Sequence, residues 1–158
     1  MIERDTLMRQ TQQLAQALAQ IFRLRTEQDD RAVLEAIDEA SEKHLGGSAQ
    51  ELRMLAPSML VDLCSEGSRF SSDAAHTLAQ LLVAQGDAHR NLNDPDRAGA
   101  CYARALLLFR YVLNTPGAPV SWKIGTELAA LEQHLDALPV SDAMQKALGD
   151  MPLRTDTS

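Results

Sequence analysis

Read for its apolar positions alone, the chain is a succession of helices. Leu7, Leu14, Leu18, Ile21 and Phe22 recur at helical spacing with Gln and Arg on the other face, which predicts a first helix from about Arg4 to Arg25. The polar cluster Thr26-Glu27-Gln28-Asp29-Asp30 turns the chain, and Val33, Ala36, Ile37 and Ala40 give the next helix its apolar face. Gly46-Gly47 stops that helix, because glycine accepts the left-handed geometry of a C-cap. Ser48-Ala49-Gln50-Glu51 has the capping-box pattern, serine at the helix start and glutamate three residues on. Pro57 cannot continue this helix, so it is short. Another short helix is predicted near Ser58 to Ser65, ended by Gly67. Ser65 to Ser72 reads as the least helical interior stretch, a flexible elbow.

From there the pattern lengthens. Ser72 or Asp73 caps a long helix to about Leu92, and Asp94-Pro95 restarts the chain as cap and first helical residue of another, ending near Leu113. Asn114-Thr115-Pro116-Gly117-Ala118-Pro119 is the clearest linker. Beyond it Ile124, Leu128, Leu131, Leu135 and Leu138 alternate steps of four and three, a single apolar stripe. After Pro139, Ser141 caps a last short helix to about Leu148. The segment 149–158 has no periodic face and reads as a disordered tail. No alternating strand pattern occurs. The expectation is one all-α domain over 1–148, eight helices in antiparallel pairs joined by short turns.

Composition sharpens this. Among 158 residues 45% are hydrophobic but only 4% aromatic, with one tryptophan, Trp122. The core must then be built from Leu, Ala, Met, Val and Ile, a palette that suits close helix packing. The net charge of -7 and the scattered cations lack the basic face of a nucleic-acid binder, so no nucleic-acid partner is expected. Cys64 and Cys101 are too few for a disulfide scaffold and read as reduced thiols of a cytoplasmic protein. Acidic residues at Glu3 and Asp5 interrupt any secretory leader, and no stretch approaches the roughly 20 apolar residues of a membrane span. No membrane partner is expected either.

One helix pair carries a resemblance. Between Gln80 and Leu108, Leu82, Gly86 and His89 share one face of the first helix, and Ala98, Tyr102 and Ala105 share one face of the second. Small residues at Gly86, Ala98 and Ala105 let two backbones approach, and Leu82, His89 and Tyr102 fill the space around them; Gly86 is expected to face Ala98. This alternation resembles the tetratricopeptide repeat (TPR), whose first-helix glycine matches Gly86 and whose second-helix alanine, aromatic and alanine match Ala98, Tyr102 and Ala105. His89 stands where the family has Tyr, Pro95 where its turn has an aromatic, and Arg110 where a proline closes the repeat. The clear pair spans 80–113. A degenerate pair spans 4–45, with Val33, Ile37 and Ala40 in the second-helix pattern but Ile21 in place of the glycine. Capping helices would occupy 120–148. The opening segment Met1 to Arg25 also resembles N-termini of bacterial proteins, which implies no activity.

The resemblance implies a right-handed superhelix of pairs and a groove lined by first helices. That groove would receive a peptide or partner helix, as in adaptors and chaperone-like modules. Carried over residue by residue, the groove side of the clear pair is Val83, Asp87, Arg90 and Asn91. The clustered Lys and Asn that clamp a terminal carboxylate in some members are absent.

Little else carries chemistry. His44, His76, His89 and His134 include no two residues three or four apart, the spacing a helical metal site needs. Glu35, Asp38, Glu39 and Glu42 line a helix face and read as a solvated surface, with Glu39 and Lys43 an ordinary i,i+4 ion pair. A Cys101–His89 pair has no local support for a lowered thiol pKa. No cofactor, metal ligand or catalytic residue is assigned, and a non-enzymatic binding role is the expectation. Two alternatives stay open: a structural homo-oligomer that pairs through the first helix, uncharged from Gln10 to Phe22, and an enzyme or small-ligand carrier whose site forms only in three dimensions.

Overall fold

The computed structural model describes residues 2–115 and 122–149, with side chains described from Thr6 in the first stretch and from Ile124 in the second. Most of the linker expected after Asn114, and the tail beyond Gly149, lie outside the described residues. The described residues form eight helices and one two-stranded hairpin, so the chain is all-α with a single small β element.

Local signals place the ends of most elements. Helix α1 (Ile2–Thr26) buries Leu14, Leu18 and Ile21. In α2 (Asp30–Leu45) the Ala32 N–H donates to the Asp29 carboxylate at 3.1 Å, and Gly46 at φ 80° ends the helix. Helix α3 (Ala49–Arg53) starts on the expected capping box, with both reciprocal bonds of Ser48 and Glu51 formed. Pro57 opens α4 (Pro57–Leu63), where its missing N–H costs nothing.

The elbow at Ser65–Ser72 is instead a small antiparallel hairpin, β1 (Ser65–Glu66) with β2 (Arg69–Phe70). Gly67 at φ 60° closes its two-residue turn. Two residues per strand are too few to show alternation, which is why no strand was legible. The hairpin is pinned: the Leu7 N–H donates to Glu66 Oε1 at 3.2 Å, the Ser71 N–H to the Cys64 carbonyl at 2.7 Å, and Phe70 packs on Tyr111 with ring centroids 4.8 Å apart. Ser71, one residue earlier than expected, caps α5 (Ser72–Asn91) by accepting from the Ala74 N–H. Helix α6 (Pro95–Asn114) has the predicted Asp94 cap and Pro95 start. Then come α7 (Trp122–Leu135) and α8 (Asp142–Gly149), the latter with Ser141 accepting from the Met144 N–H.

The α5–α6 hairpin is the centre of the molecule. Helix α5 packs on α6 and on both α1 and α2, and α6 also meets α3, α4, α7 and α8. Leu106, Leu107, Leu108 and Phe109 are consecutive and all buried, so α6 has apolar neighbours on every side there. Full burial of each such side chain contributes about 1.5–3 kcal/mol. Leu82, Gly86, His89, Ala98, Tyr102 and Ala105 are all buried between the two helices. The side chain nearest Gly86 is that of Tyr102. A Cβ built there would fall 2.8 Å from the Tyr102 ring. The missing side chain of Gly86 leaves the room that the ring occupies.

Two polar side chains inside this core went unread in the sequence. Gln85 is fully buried and donates from Nε2 to the Ala49 carbonyl at 3.2 Å, tying α5 to α3. Arg104 donates from Nε to the Leu55 carbonyl at 2.9 Å and from Nη1 to Ala100 at 3.1 Å, holding the α3–α4 turn against α6. Each ties a side chain of the α5–α6 hairpin to the backbone of α3 or of the turn that follows it. The α7–α8 unit is fastened to α6 by contact and by charge. Ile124, Leu128 and Leu131 bury the predicted stripe, Gly99 makes room for the Pro139 carbonyl, and Arg110 donates to the Leu148 carbonyl at 3.0 Å.

Candidate functional site

Helix α1 packs on α5, and α7 packs on α6. Between α1, α5 and α7 is a cleft of about 290 Å³, with one residue of α6, Phe109, in its lining. Its apolar surface comes from Phe22, Val83, Phe109, Ala130 and Leu131; its polar groups are Arg25, Gln80, Asp87, Glu127 and His134. A mostly apolar concavity with a few converging polar groups is the usual form of a binding site.

At one end Asp87 organises the polar groups. The Tyr102 hydroxyl donates to Asp87 Oδ1, and Arg25 Nη2 donates to Oδ2 at 2.5 Å. Arg90, one turn along, has Nη2 3.9 Å from Oδ1. Burial and the accepting carboxylate hold the Tyr102 phenol well above its usual pKa, so it stays a donor. His134 of α7 stacks on Tyr102, with centroids 5.2 Å apart and planes 17° from parallel, and accepts from Arg90 Nη1 at 2.7 Å. Two guanidinium groups around one carboxylate leave this end net positive.

At the other end the wall carries an acid, Glu127. His76 Nε2 of α5 lies 3.5 Å from Glu127 Oε2 of α7, and neither atom has a hydrogen-bond partner. His76 also meets Phe109 edge-on at 5.6 Å. The cleft is therefore bridged at both ends by a histidine facing a charged side chain, with an apolar stretch between.

The four groove residues named from the sequence divide. Val83 and Asp87 line the cleft, and Arg90 sits at its end through His134. Asn91 does not join them; its amide donates to Asp30 at 3.2 Å, beside α2. Asp87, expected on the groove side, is largely buried and committed to Tyr102 and Arg25. Helical spacing shows which residues share a face but not that a tyrosine across the turn and an arginine from a distant helix reach the same carboxylate. Arg25, Phe22, His134 and Glu127 were not picked out, because their convergence depends on how α1 and α7 pack.

No family model, curated protein or solved structure matches this chain. The likeness to a tetratricopeptide pair thus rests on Gly86, Ala98, Tyr102 and Ala105 alone, and function has to be argued from the cleft.

The remaining candidate chemistry is placed as follows. Burial pushes the Cys64 and Cys101 thiols up to about 12, so neither carries an activated thiolate at neutral pH. His89 is buried, with its Nε2 unpaired, and burial, then the Arg53 charge, lower its pKa. Among the described residues no three His, Cys, Asp or Glu side chains group as a metal site requires. Nor is any described helix long and apolar enough to cross a membrane.

Proposed function

We propose that the protein is a cytoplasmic interaction module of tetratricopeptide type, whose cleft between α1, α5 and α7 takes a peptide or partner helix. The observation that supports it is the make-up of the walls: the cleft is lined almost wholly by the first helix of the opening pair, the first helix of the clear pair and the helix that follows it. Helix α5 packs against both helices of the preceding pair, the neighbour-on-neighbour stacking from which repeat arrays build a shared surface. Its walls are set before any partner arrives, by the Asp87–Tyr102–Arg25 bonds on one side and the α6 contacts of α7 on the other. Little ordering then remains to oppose binding.

The test uses a residue of the wall that the fold does not need. Ala130 is exposed and lines the cleft, whereas Ala129 is exposed on the same helix and does not. A partner is first cross-linked through a photoreactive side chain at position 83 and identified. Its affinity is then measured for Ala130→Trp and Ala129→Trp. The reading requires a loss of at least about tenfold in the first, roughly 1.4 kcal/mol, and little change in the second. Equal affinities would remove the cleft from consideration.

One observation favours a second reading, self-association through α1. Met8 and Phe22 are 56% and 38% exposed on that helix, and the segment between Gln10 and Phe22 carries no charge. A light-scattering mass that halves on Gln16→Lys would favour it over the peptide groove.

A further inference from the structure

A second concavity lies on other elements, where the end of α2 meets α3 and α4. It has a volume of about 340 Å³, and its surface is mostly apolar, from Leu45, Leu52, Leu55, Met59 and Leu63. Leu45, Leu55 and Leu63 are only half-buried, and Met59 is 53% exposed. The floor is held open by polar bonds rather than by packing. Ser41 Oγ donates to the Gly47 carbonyl at 2.7 Å, the capping box fixes the start of α3, and Arg104 holds the Leu55 carbonyl from beneath. With its backbone so pinned, the surface cannot fold inward to hide its leucines.

Charge around the hollow has one sign. Glu51 and Asp62 are its only charged lining residues; no lysine or arginine lines it. Asp62 is exposed and has no ion-pair partner among the described residues. An apolar hollow flanked by the unpaired Asp62 and by Glu51, whose carboxylate also caps α3, fits an apolar segment flanked by cations. Its rails also have a period. Met59 and Leu63 are one turn apart on α4, and Leu52 and Leu55 are joined across the turn that ends α3, where the Leu55 N–H donates to the Leu52 carbonyl at 3.3 Å. Side chains at i and i+4 of an incoming helix present the same spacing. The β1–β2 hairpin is not part of the lining, so the hollow offers no sheet edge for strand addition. Methionine at the rim adds an unbranched, adaptable contact suited to helix faces of varied sequence.

We propose that this hollow docks a partner's amphipathic helix, one that inserts apolar side chains one turn apart and places Lys or Arg against Asp62 and Glu51. The surface is separate from the α1–α5–α7 cleft and stands or falls independently of it.

The experiment uses the full chain and a fluorescent synthetic peptide of leucine and lysine. The leucines stand at i, i+3, i+4 and i+7 with lysine elsewhere, and a scrambled peptide of the same composition serves as control. Anisotropy should show the patterned peptide binding at least about tenfold more tightly than the scrambled one. Met59→Asp and Asp62→Lys should each weaken it about tenfold, and Glu35→Lys, an equal charge change on an exposed site of α2, by less than about threefold. Met59→Gln gives the same reading should the acid disturb α4. Equal losses for Asp62→Lys and Glu35→Lys would reduce the effect to net charge and overturn the proposal. Full affinity in both Met59 variants would do the same. Sedimentation supplies the other outcome: a dimer abolished by Met59→Asp would mean that a second copy covers this face and not a foreign helix.

Discussion

Gly99 shows how much one missing side chain decides. A Cβ at that position would stand 2.1 Å from the Pro139 carbonyl oxygen, a backbone atom with no rotamer by which to yield. Gly99→Ala should push the α7–α8 connection off α6 and cost about 1–3 kcal/mol despite alanine's better helix propensity. A urea midpoint equal to or above that of the unmodified chain would show that the connection relaxes freely. His89 makes a prediction of a different kind. Its folded pKa is lowered, first by burial and then by Arg53, so the unfolded chain takes up the proton more readily. The stability it contributes is complete above the ordinary histidine pKa of about 6.5 and drains away as pH falls toward the folded value. His89→Gln should therefore lose less stability than the parent between neutral and mildly acidic pH, as read from paired denaturation curves. Neither residue would be placed in these roles by the sequence alone. His89 was legible as an interhelical residue from its spacing, but the partner of Gly99 is forty positions away.

At the scale of elements, the helices with their own start signals were the legible ones. Ser48, Asp94 and Ser141 each cap the helix expected of them, and Asp29, expected only to turn the chain, caps α2; capping is decided within four residues and needs no knowledge of the fold. The hairpin at 65–70 was missed because its order comes from outside: Glu66 is held by α1, and Phe70 by Tyr111 of α6. The α3–α4 turn depends on distant support in the same way. Arg104 is a buried cation whose pKa burial depresses, and it stands there to bond the Leu55 carbonyl. Arg104→Met keeps most of the volume but leaves that carbonyl unpaired. The change should cost about 1–3 kcal/mol and loosen Leu52 to Pro57 selectively. Amide exchange across 52–57 should quicken more than exchange in α5; a uniform change along the chain would show that the bond serves the whole core and not the turn.

For the molecule as a whole, the all-α class was legible throughout, since the centre of each apolar stripe predicted from spacing is buried: Leu14 and Leu18 in α1, Val33 and Ile37 in α2, Ile124 and Leu131 in α7, while Phe22 at the end of the α1 stripe is exposed. The cleft was legible only in part, through Val83 and Asp87, because a site shared by helices far apart in sequence has no spacing to be read. The centre of the molecule has a further consequence in time. Helix α6 is buried around its circumference at Leu106–Phe109, yet its main partner, α5, precedes it by a three-residue turn. Contacts so close along the chain close early in folding, so this hairpin is suited to form first and to act as the template on which the opening pair and the closing pair condense. The same order should run backwards under native conditions. Amide protons of Leu106 to Phe109 should exchange only through global opening, and those of α8, which has Met144 as its one buried residue, through a much smaller local excursion.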